Sequence, residues 1–411
     1  MRILLVSEDI PYPSMGGLAK HVLTLARALV KAGHEVDLLG GDQHPFEVAG
    51  EEGQFGGLFF GELHGHLSGW KESKIGVYLP PKRPWIARKM AQCIMTHAAN
   101  YDVIHYHGHF PNIAKYIPLH INFVQTRHDQ GGDCLKHTRF RDGEICNRLN
   151  PADCAACITS QPNVLQQAIS AFSVHSYRRD VAEAFQRHKT IFVSDKLRQN
   201  FARVAGSGEW GAVVNNFVDQ EKLRATLQAK PALINVEGEK LKLFVAGKLY
   251  PPKGIDILLQ TLAPIMPVNM QLIVAGDGPD EARLRKQFES DQITFLGWCD
   301  YPTVLTYAAA SDVVIVPSIW EEPFGTTILE GLLLEKPTFV LDRGGNPEMQ
   351  AYQQYPGQLH LYADIEALIK ELVHFQLKPH TNPTRDGRGG VDNVIQRLLE
   401  IYRTPAGATL S

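Results

Sequence analysis

Long apolar runs are missing from the 411 residues: stretches such as Val313 to Pro317 stop within a few residues, far short of the roughly 20 that a membrane-spanning helix needs. The opening run Met1–Val6 ends at Ser7-Glu8-Asp9, too brief for the apolar region of a signal peptide, and reads as a first strand. The expected location is therefore cytoplasmic, or peripheral at the inner face of the cell membrane. An excess of one charge is also missing. With 41 Lys and Arg against 44 Asp and Glu, the formal net charge is -3, and no overall basic field exists to hold nucleic acid. Six cysteines in a chain this long, four of them crowded between Cys134 and Cys157, do not look like the disulfide framework of a small secreted domain, and a reducing compartment fits them. No Gly-x-Gly-x-x-Gly occurs at Gly16-Gly17 or at Gly276-Asp277-Gly278-Pro279, which argues against a dinucleotide-binding dehydrogenase. No Asp-x-Asp triplet occurs either, so a divalent metal on paired aspartates is not indicated and no cofactor is expected for catalysis.

What is present is a strand and helix alternation that runs twice. Ile3–Val6 precedes Leu18, Val22, Leu25 and Leu29 at helical spacing, and Glu35–Leu39 follows. Further strands are expected at 103–106, 122–125, 190–193 and 212–214. The pattern restarts at Leu243 and continues at 272–275, 293–296, 313–316 and 338–341, each strand followed by a turn rich in Gly, Pro or Asp. A chain of this length exceeds one growing core, so two Rossmann-like α/β domains with parallel sheets are predicted, 1–218 and 219–390. Residues 391–411 form a last helix with Val394, Leu398 and Ile401 on one face, expected to pack back on the body of the protein, and a tail.

Chemistry concentrates at the ends of the second-half strands. Glu322-Pro323-Phe324-Gly325-Thr326, with Glu330 further on, follows the strand ending near Pro317. A helix starting near Gly325 leaves the amides of Phe324, Gly325 and Thr326 without intrahelical partners, a place for a phosphate. Glu322 and Glu330 flank that start and can reach different parts of one elongated ligand. Lys248 and Lys253, after the first strand of the same half, can neutralise a diphosphate as point charges. In the first half, Gly16-Gly17 opens a helix and lets a backbone approach an anion.

Together these pieces resemble the retaining glycosyltransferases of family four: Gly16-Gly17 with His21, Asn216-Phe217-Val218-Asp219, Gly247-Lys248 to Lys253-Gly254, Ala275 to Pro279, Phe295-Leu296-Gly297-Trp298, Glu322 to Gly325 with Glu330, and Gly344-Gly345-Asn346-Pro347-Glu348. The resemblance covers nearly the whole chain. It implies the GT-B fold, two Rossmann-like domains facing each other across a cleft, with a nucleoside diphosphate sugar, UDP- or GDP-linked, held by the second domain. It also implies a hydroxyl acceptor (a glycan, a glycolipid or a small molecule) held mainly by the first, in cell-surface glycan or glycoconjugate synthesis. Carried over, Lys248 and Lys253 contact the diphosphate, Glu322 the transferred sugar, Glu330 the ribose, and backbone near Trp298 the base. His128 matches the family's active-site histidine, with Asp129 orienting its ring or meeting the acceptor. The family more often has Arg where Lys248 stands, which replaces a bidentate fork with a point charge.

His105, His107 and His109 share one face if their segment is a strand; they suit either a metal or, as the family's strand-end histidines, an acceptor, with His107 and His109 the nearer. Cys134, Cys146, Cys154 and Cys157 follow His128-Asp129. They supply either a tetrahedral structural zinc or a set of buried or redox-active thiols. The segment Pro80 to Lys89 packs four cations around Trp85, either a peripheral contact with anionic lipid or a solvated loop and helix start. A second reading of the whole chain is a non-catalytic nucleotide-sugar-binding or scaffolding subunit, and a third is another GT-B enzyme such as an epimerase.

Overall fold

The computed structural model describes residues 1–11, 16–63, 82–158, 163–206, 211–229, 240–378 and 388–405. The chain divides into two compact units, one comprising 1–139, 146–216 and 391–411, the other 140–145 and 217–390.

The strands of the first unit are β1 (Arg2–Ser7), β2 (Glu35–Gly41), β3 (Phe59–Leu63), β4 (Val103–His107) and β5 (Phe123–Arg127), and, after the short hairpin β6 (Phe140–Arg141) and β7 (Glu144–Ile145), β8 (Lys189–Phe192) and β9 (Ala212–Val213). They pair in the order β3-β2-β1-β4-β5-β8-β9, every ladder parallel. The second unit carries β10 (Leu241–Ala246), β11 (Met270–Ala275), β12 (Ile293–Gly297), β13 (Val313–Val316), β14 (Thr338–Leu341) and β15 (Leu359–Tyr362). Their order is β12-β11-β10-β13-β14-β15, again all parallel. The expected strands are all found. β3 and β15 add edge strands that the apolar patterning of the sequence does not announce: β3 leaves Gly61 and Glu62 exposed and β15 is only half-buried along its length.

Central strands covered on both faces bury every residue, as β4, β8, β13 and β14 do here. Helices supply the cover. In the helix Gly17–Lys31 the buried set includes Val22, Leu25 and Leu29, and in Ile255–Leu262 it is Ile255, Leu258, Leu259 and Leu262. The last helix, Val391–Arg403, buries Val391, Ile395, Leu398, Leu399, Ile401 and Tyr402 and belongs to the first unit. Val394 is only half-buried, so the buried stripe lies one position round from the expected one. The helix end is pinned by side chains from the sheet: Asn122 Nδ2 donates to the Tyr402 carbonyl at 2.8 Å and Lys189 Nζ to that of Ile401 at 3.0 Å.

Both sheets reverse their strand order once, between β1 and β4 and between β10 and β13. At such a reversal neighbouring crossovers leave toward opposite faces, and the carboxyl ends of the two strands bound an open crevice.

Candidate active site

In the second unit the switch point lies between the segments following β10 and β13. The first makes a short turn, Pro251–Lys253, closed by Gly254; the second runs from Pro317 to the helix Thr326–Leu333. The two are tied through backbone, Ile319 N–H donating to the Pro252 carbonyl at 3.0 Å. That tie brings Lys253 Nζ to 3.1 Å from Glu322 Oε2, with Glu322 buried and the lysine side chain 26% exposed. Trp320 donates its Nε1–H to the same oxygen at 2.6 Å, and the Lys253 ammonium lies 5.2 Å from the centre of the Trp320 ring. Trp320 is thus a member of the site that the motif did not single out, although it stands only two residues before Glu322.

Gly344 supports the same loop. A Cβ there would meet the Glu322 carbonyl oxygen at 2.0 Å, and Gly345 N–H donates to that carbonyl at 2.8 Å. The backbone of 344–345 therefore packs directly against the residue it helps to hold.

Gly325 is the N-cap of Thr326–Leu333, one residue from the expected start. The Thr326 amide differs from expectation: it donates to the Phe324 carbonyl at 3.0 Å, because the chain makes a tight turn before the helix. Glu330 is buried on the helix. Lys248 is exposed, its ammonium 5.9 Å over the Tyr250 ring, and Trp298 is 59% exposed just beyond β12.

In the first unit, Gly16 caps the helix Gly17–Lys31 and both Gly16 and Gly17 are exposed. His105 and His107 project from the same face of β4, as the alternation requires. His109 does not join them. The strand ends at His107, and His109 turns to two carboxylates, Asp129 at 2.7 Å through Nδ1 and Asp9 at 3.1 Å through Nε2. Asp129 likewise does not orient His128. It accepts from His109, from the Gly131 amide at 2.7 Å, and pairs with His137 at 2.9 Å. His128 Nε2 instead lies 3.0 Å from His107 Nδ1, and its ring packs edge-on against His21, centroids 4.7 Å apart.

Burial drives the His21 and His105 imidazoles down to about 3 and holds His107 and His128 well below the ordinary value, so these rings are neutral. His109 goes the other way. Burial alone would lower it, but the bonds to Asp129 and Asp9 outweigh burial and hold it well above the ordinary value. Burial likewise would raise Asp129, yet the His137 and His109 contacts keep it well below the carboxylate range.

A raised folded-state value means that the stabilisation by His109 is complete below the unfolded value of about 6.5 and is lost as pH rises through the folded value. In urea titrations the midpoint of wild type should exceed that of His109→Gln most below about pH 6.5, the gap narrowing steadily into the alkaline range. A pH-independent gap would remove the charged network.

Among the described residues, the groups whose ligand atoms lie within 4.8 Å of one another are His21, His107 and His128, and His109, Asp129 and His137. In the first, both nitrogens of His107 are engaged by neighbouring imidazoles. The four cysteines are in neither group; Cys154 Sγ takes a hydrogen bond from Arg178 at 3.2 Å, and Cys134 is pushed up to about 11 by burial. Of the basic segment, 80–81 and the side chains of Lys82 and Arg83 lie outside the described residues. Trp85 is 56% exposed, with the Lys89 ammonium 4.0 Å over its ring. No helix among the described residues is long and apolar enough to cross a membrane.

Comparison with known proteins places these units in context. The family model described as Glycosyltransferase Family 4 matches residues 15–222, half the chain, and that described as Glycosyl transferases group 1 matches 228–374. An uncharacterized glycosyltransferase of Methanocaldococcus jannaschii is 25% identical over 85% of this chain and 82% of its own. A D-inositol 3-phosphate glycosyltransferase of Jonesia denitrificans is 22% identical over 80% and 76%. Among solved structures, Anabaena HepE in complex with UDP matches with a TM-score of 0.64 at 17% identity, over 97% of this chain and 99% of the other. Sucrose-phosphate synthase from Thermosynechococcus elongatus matches with a TM-score of 0.66 at 18% identity, over 98% of each. The fold is that of the GT-B glycosyltransferases.

Proposed function

The chain belongs to Glycosyltransferase Family 4, and from that premise we propose that it moves a sugar from a nucleoside diphosphate, UDP- or GDP-linked, to a hydroxyl acceptor with retention at the anomeric carbon. The observation that carries this is the Lys253–Glu322 pair at 3.1 Å, bracketed by Trp320 at the switch point of the second sheet. A diphosphate carries more charge than one carboxylate and competes for the ammonium of Lys253. Glu322, still held by the Trp320 N–H, then accepts from sugar hydroxyls. Lys248, exposed after the same strand, adds a second cation, and Glu330 and the backbone around Phe324, Gly325 and Trp298 are the proposed remaining donor contacts.

The proposed reaction breaks the bond between the anomeric carbon and the phosphate oxygen and forms one from that carbon to the acceptor oxygen. The acceptor proton passes to the departing phosphate oxygen. Lys253 stabilises the charge that develops there, the term that contributes most in such sites. In the first unit, His107, His128 and His109 with Asp129 are the proposed acceptor-side groups. The name of the Jonesia relative and the UDP in the HepE structure make UDP-sugars and polyol acceptors the first to try.

A thermal-shift panel of UDP, GDP and ADP, followed by assay of the matching nucleotide sugars, tests the reading. A nucleotide at a hundred times its Kd contributes about 2.7 kcal/mol, roughly 5–10 °C for a unit of this size. Stabilisation by one nucleotide, with release of that nucleotide and formation of a glycoside from its sugar, supports the proposal. No shift at millimolar concentration of any of them removes the diphosphate site.

A further inference from the structure

Asp9, His109 and Asp129 each stand just beyond the carboxyl end of a strand, after β1, β4 and β5, which are neighbours in the first sheet. His137 is brought to them by the loop that follows β5. Gln130 N–H donates to the His137 carbonyl at 3.3 Å, closing the loop on itself. The buried Tyr177 hydroxyl donates to the Gly131 carbonyl at 2.8 Å, which fixes the loop to the helix Val164–Arg187.

The cluster that results has one carboxylate oxygen at its centre. Asp129 Oδ2 lies 2.7 Å from His109 Nδ1 and 2.9 Å from His137 Nδ1, and one ligand atom from each of the three residues lies within 4.8 Å of the other two. The atoms behind them are engaged elsewhere. Asp129 Oδ1 accepts from Gly131 N–H at 2.7 Å and lies 3.5 Å from Arg127 Nη2, while His109 Nε2 faces Asp9 Oδ2 at 3.1 Å. A carboxylate behind an imidazole and an amide behind a carboxylate are the outer contacts that orient metal-binding side chains. The backbone is also bent to this end. His137 has φ +64, in the left-handed region that few residues with a Cβ adopt, and a Cβ on Gly131 would come within 2.5 Å of the His137 ring. Strain of this kind gathers at ligand sites.

We propose that His109, Asp129 and His137 bind a divalent transition-metal ion of the zinc type, with Asp9 orienting His109. Two imidazoles and a carboxylate suit zinc, whereas magnesium and calcium take oxygen ligands. Zinc bonds of about 2.0–2.1 Å set tetrahedral ligands about 3.3 Å apart, so each nitrogen moves only about half an ångström away from Asp129 Oδ2. Without the ion, protons on the two Nδ1 atoms bridge the same gaps. The ion displaces those protons to solvent, and His109 Nε2–H stays on Asp9. The three side chains are 15–29% exposed, so a fourth position is open to water, as it is in sites that act on a substrate and not in closed structural ones. On the function proposed above, that position takes an oxygen of the hydroxyl acceptor; the metal site itself does not depend on that function.

Calorimetric titration of the chelator-treated full chain with zinc, beside visible absorption with cobalt(II), tests the site. The four cysteines are a second set that could take zinc, so the titrations are run on wild type and on a Cys154→Ser, Cys157→Ser chain. The second protein is expected to keep one ion. Its cobalt complex should lack the near-ultraviolet band of a thiolate ligand and should shift when azide enters the open position. In the same background His137→Gln should weaken zinc binding by roughly 100-fold or more, and Asp9→Asn, which removes only the outer contact, by about 10–100-fold. Asp9→Asn decides the matter if His137→Gln does not fold. Equal zinc affinity with and without these substitutions, no uptake by the Cys154→Ser, Cys157→Ser chain, or a cobalt spectrum indifferent to azide overturns the proposal. Zinc uptake as expected while no nucleotide sugar turns over would sink the functional reading and not the metal site.

Discussion

Lys253→Ala is expected to lower kcat/KM for the nucleotide sugar by about 10²–10³-fold, the usual loss when one preorganised group facing a developing charge is removed. Most of that loss should appear in kcat, because the leaving phosphate gains negative charge as its bond to the sugar breaks. The stability of the free protein should fall by less than the activity does. Lys253 is 26% exposed but Glu322 is buried, so removing the ammonium leaves a carboxylate held by Trp320 alone, at an expected cost of about 1–3 kcal/mol, less than the loss in turnover. Glu322→Gln keeps the shape and the contact with Trp320 while removing the charge, and should show a comparable loss of turnover. Steady-state kinetics beside urea unfolding check both variants. A drop in stability matching the drop in activity would mean the pair is structural.

Gly254→Ala should be among the most destabilising single substitutions in the second unit, at roughly 3–4 kcal/mol. Gly254 has φ +67, and a Cβ there would lie 2.1 Å from the Pro317 carbonyl oxygen. The strain of the left-handed conformation accounts for about 1–2 kcal/mol of the cost, and the backbone clash for the rest. Gly357 is the control, because its φ of +77 is similar but nothing lies within 4 Å of its would-be Cβ. Gly357→Ala should therefore show the conformational cost alone. The clash also pushes apart the turn bearing Lys253 and the segment leading to Glu322, so Gly254→Ala should weaken nucleotide-induced stabilisation, which Gly357→Ala should leave intact. Urea midpoints with and without nucleotide read both effects, and equal losses for the two variants would show that the close approach does not matter.

The strands of the second unit and the nearness of Lys253 to Glu322 are legible in the sequence because both rest on short-range signals. Apolar runs such as Val313–Val316 identify buried parallel strands, and turn residues after them mark the ligand edge. Lys253, Glu322 and Gly325 sit within a few residues of such strand ends, and the parallel order brings those ends together. Trp320 has no period or partner in sequence that distinguishes it from a core aromatic. Its role follows only from an indole N–H that reaches the carboxylate two residues on.

The first unit is less legible where side chains choose among several partners. Alternation correctly put His105 and His107 on one face, but placing His109 with them assumed that the strand continued. The pairing of Asp129 with His109 and His137 instead of His128 depends on loop paths that no spacing encodes. Tyr402 was reachable: Val391, Ile395, Leu398, Leu399 and Tyr402 recur at helical spacing and name the buried stripe. What that stripe covers was not reachable, since His105 lies almost three hundred residues away in sequence.

The sequence by itself determined the class of each element, the twofold repetition of the α/β plan and the family, because hydrophobic period, glycine turns and ordered motifs are local properties of a chain. Only the tertiary structure decided which carboxylate holds which cation, which imidazoles touch, and where the last helix returns. Those choices depend on distances of about 3 Å between residues far apart in sequence, and burial then sets the protonation of the groups it encloses.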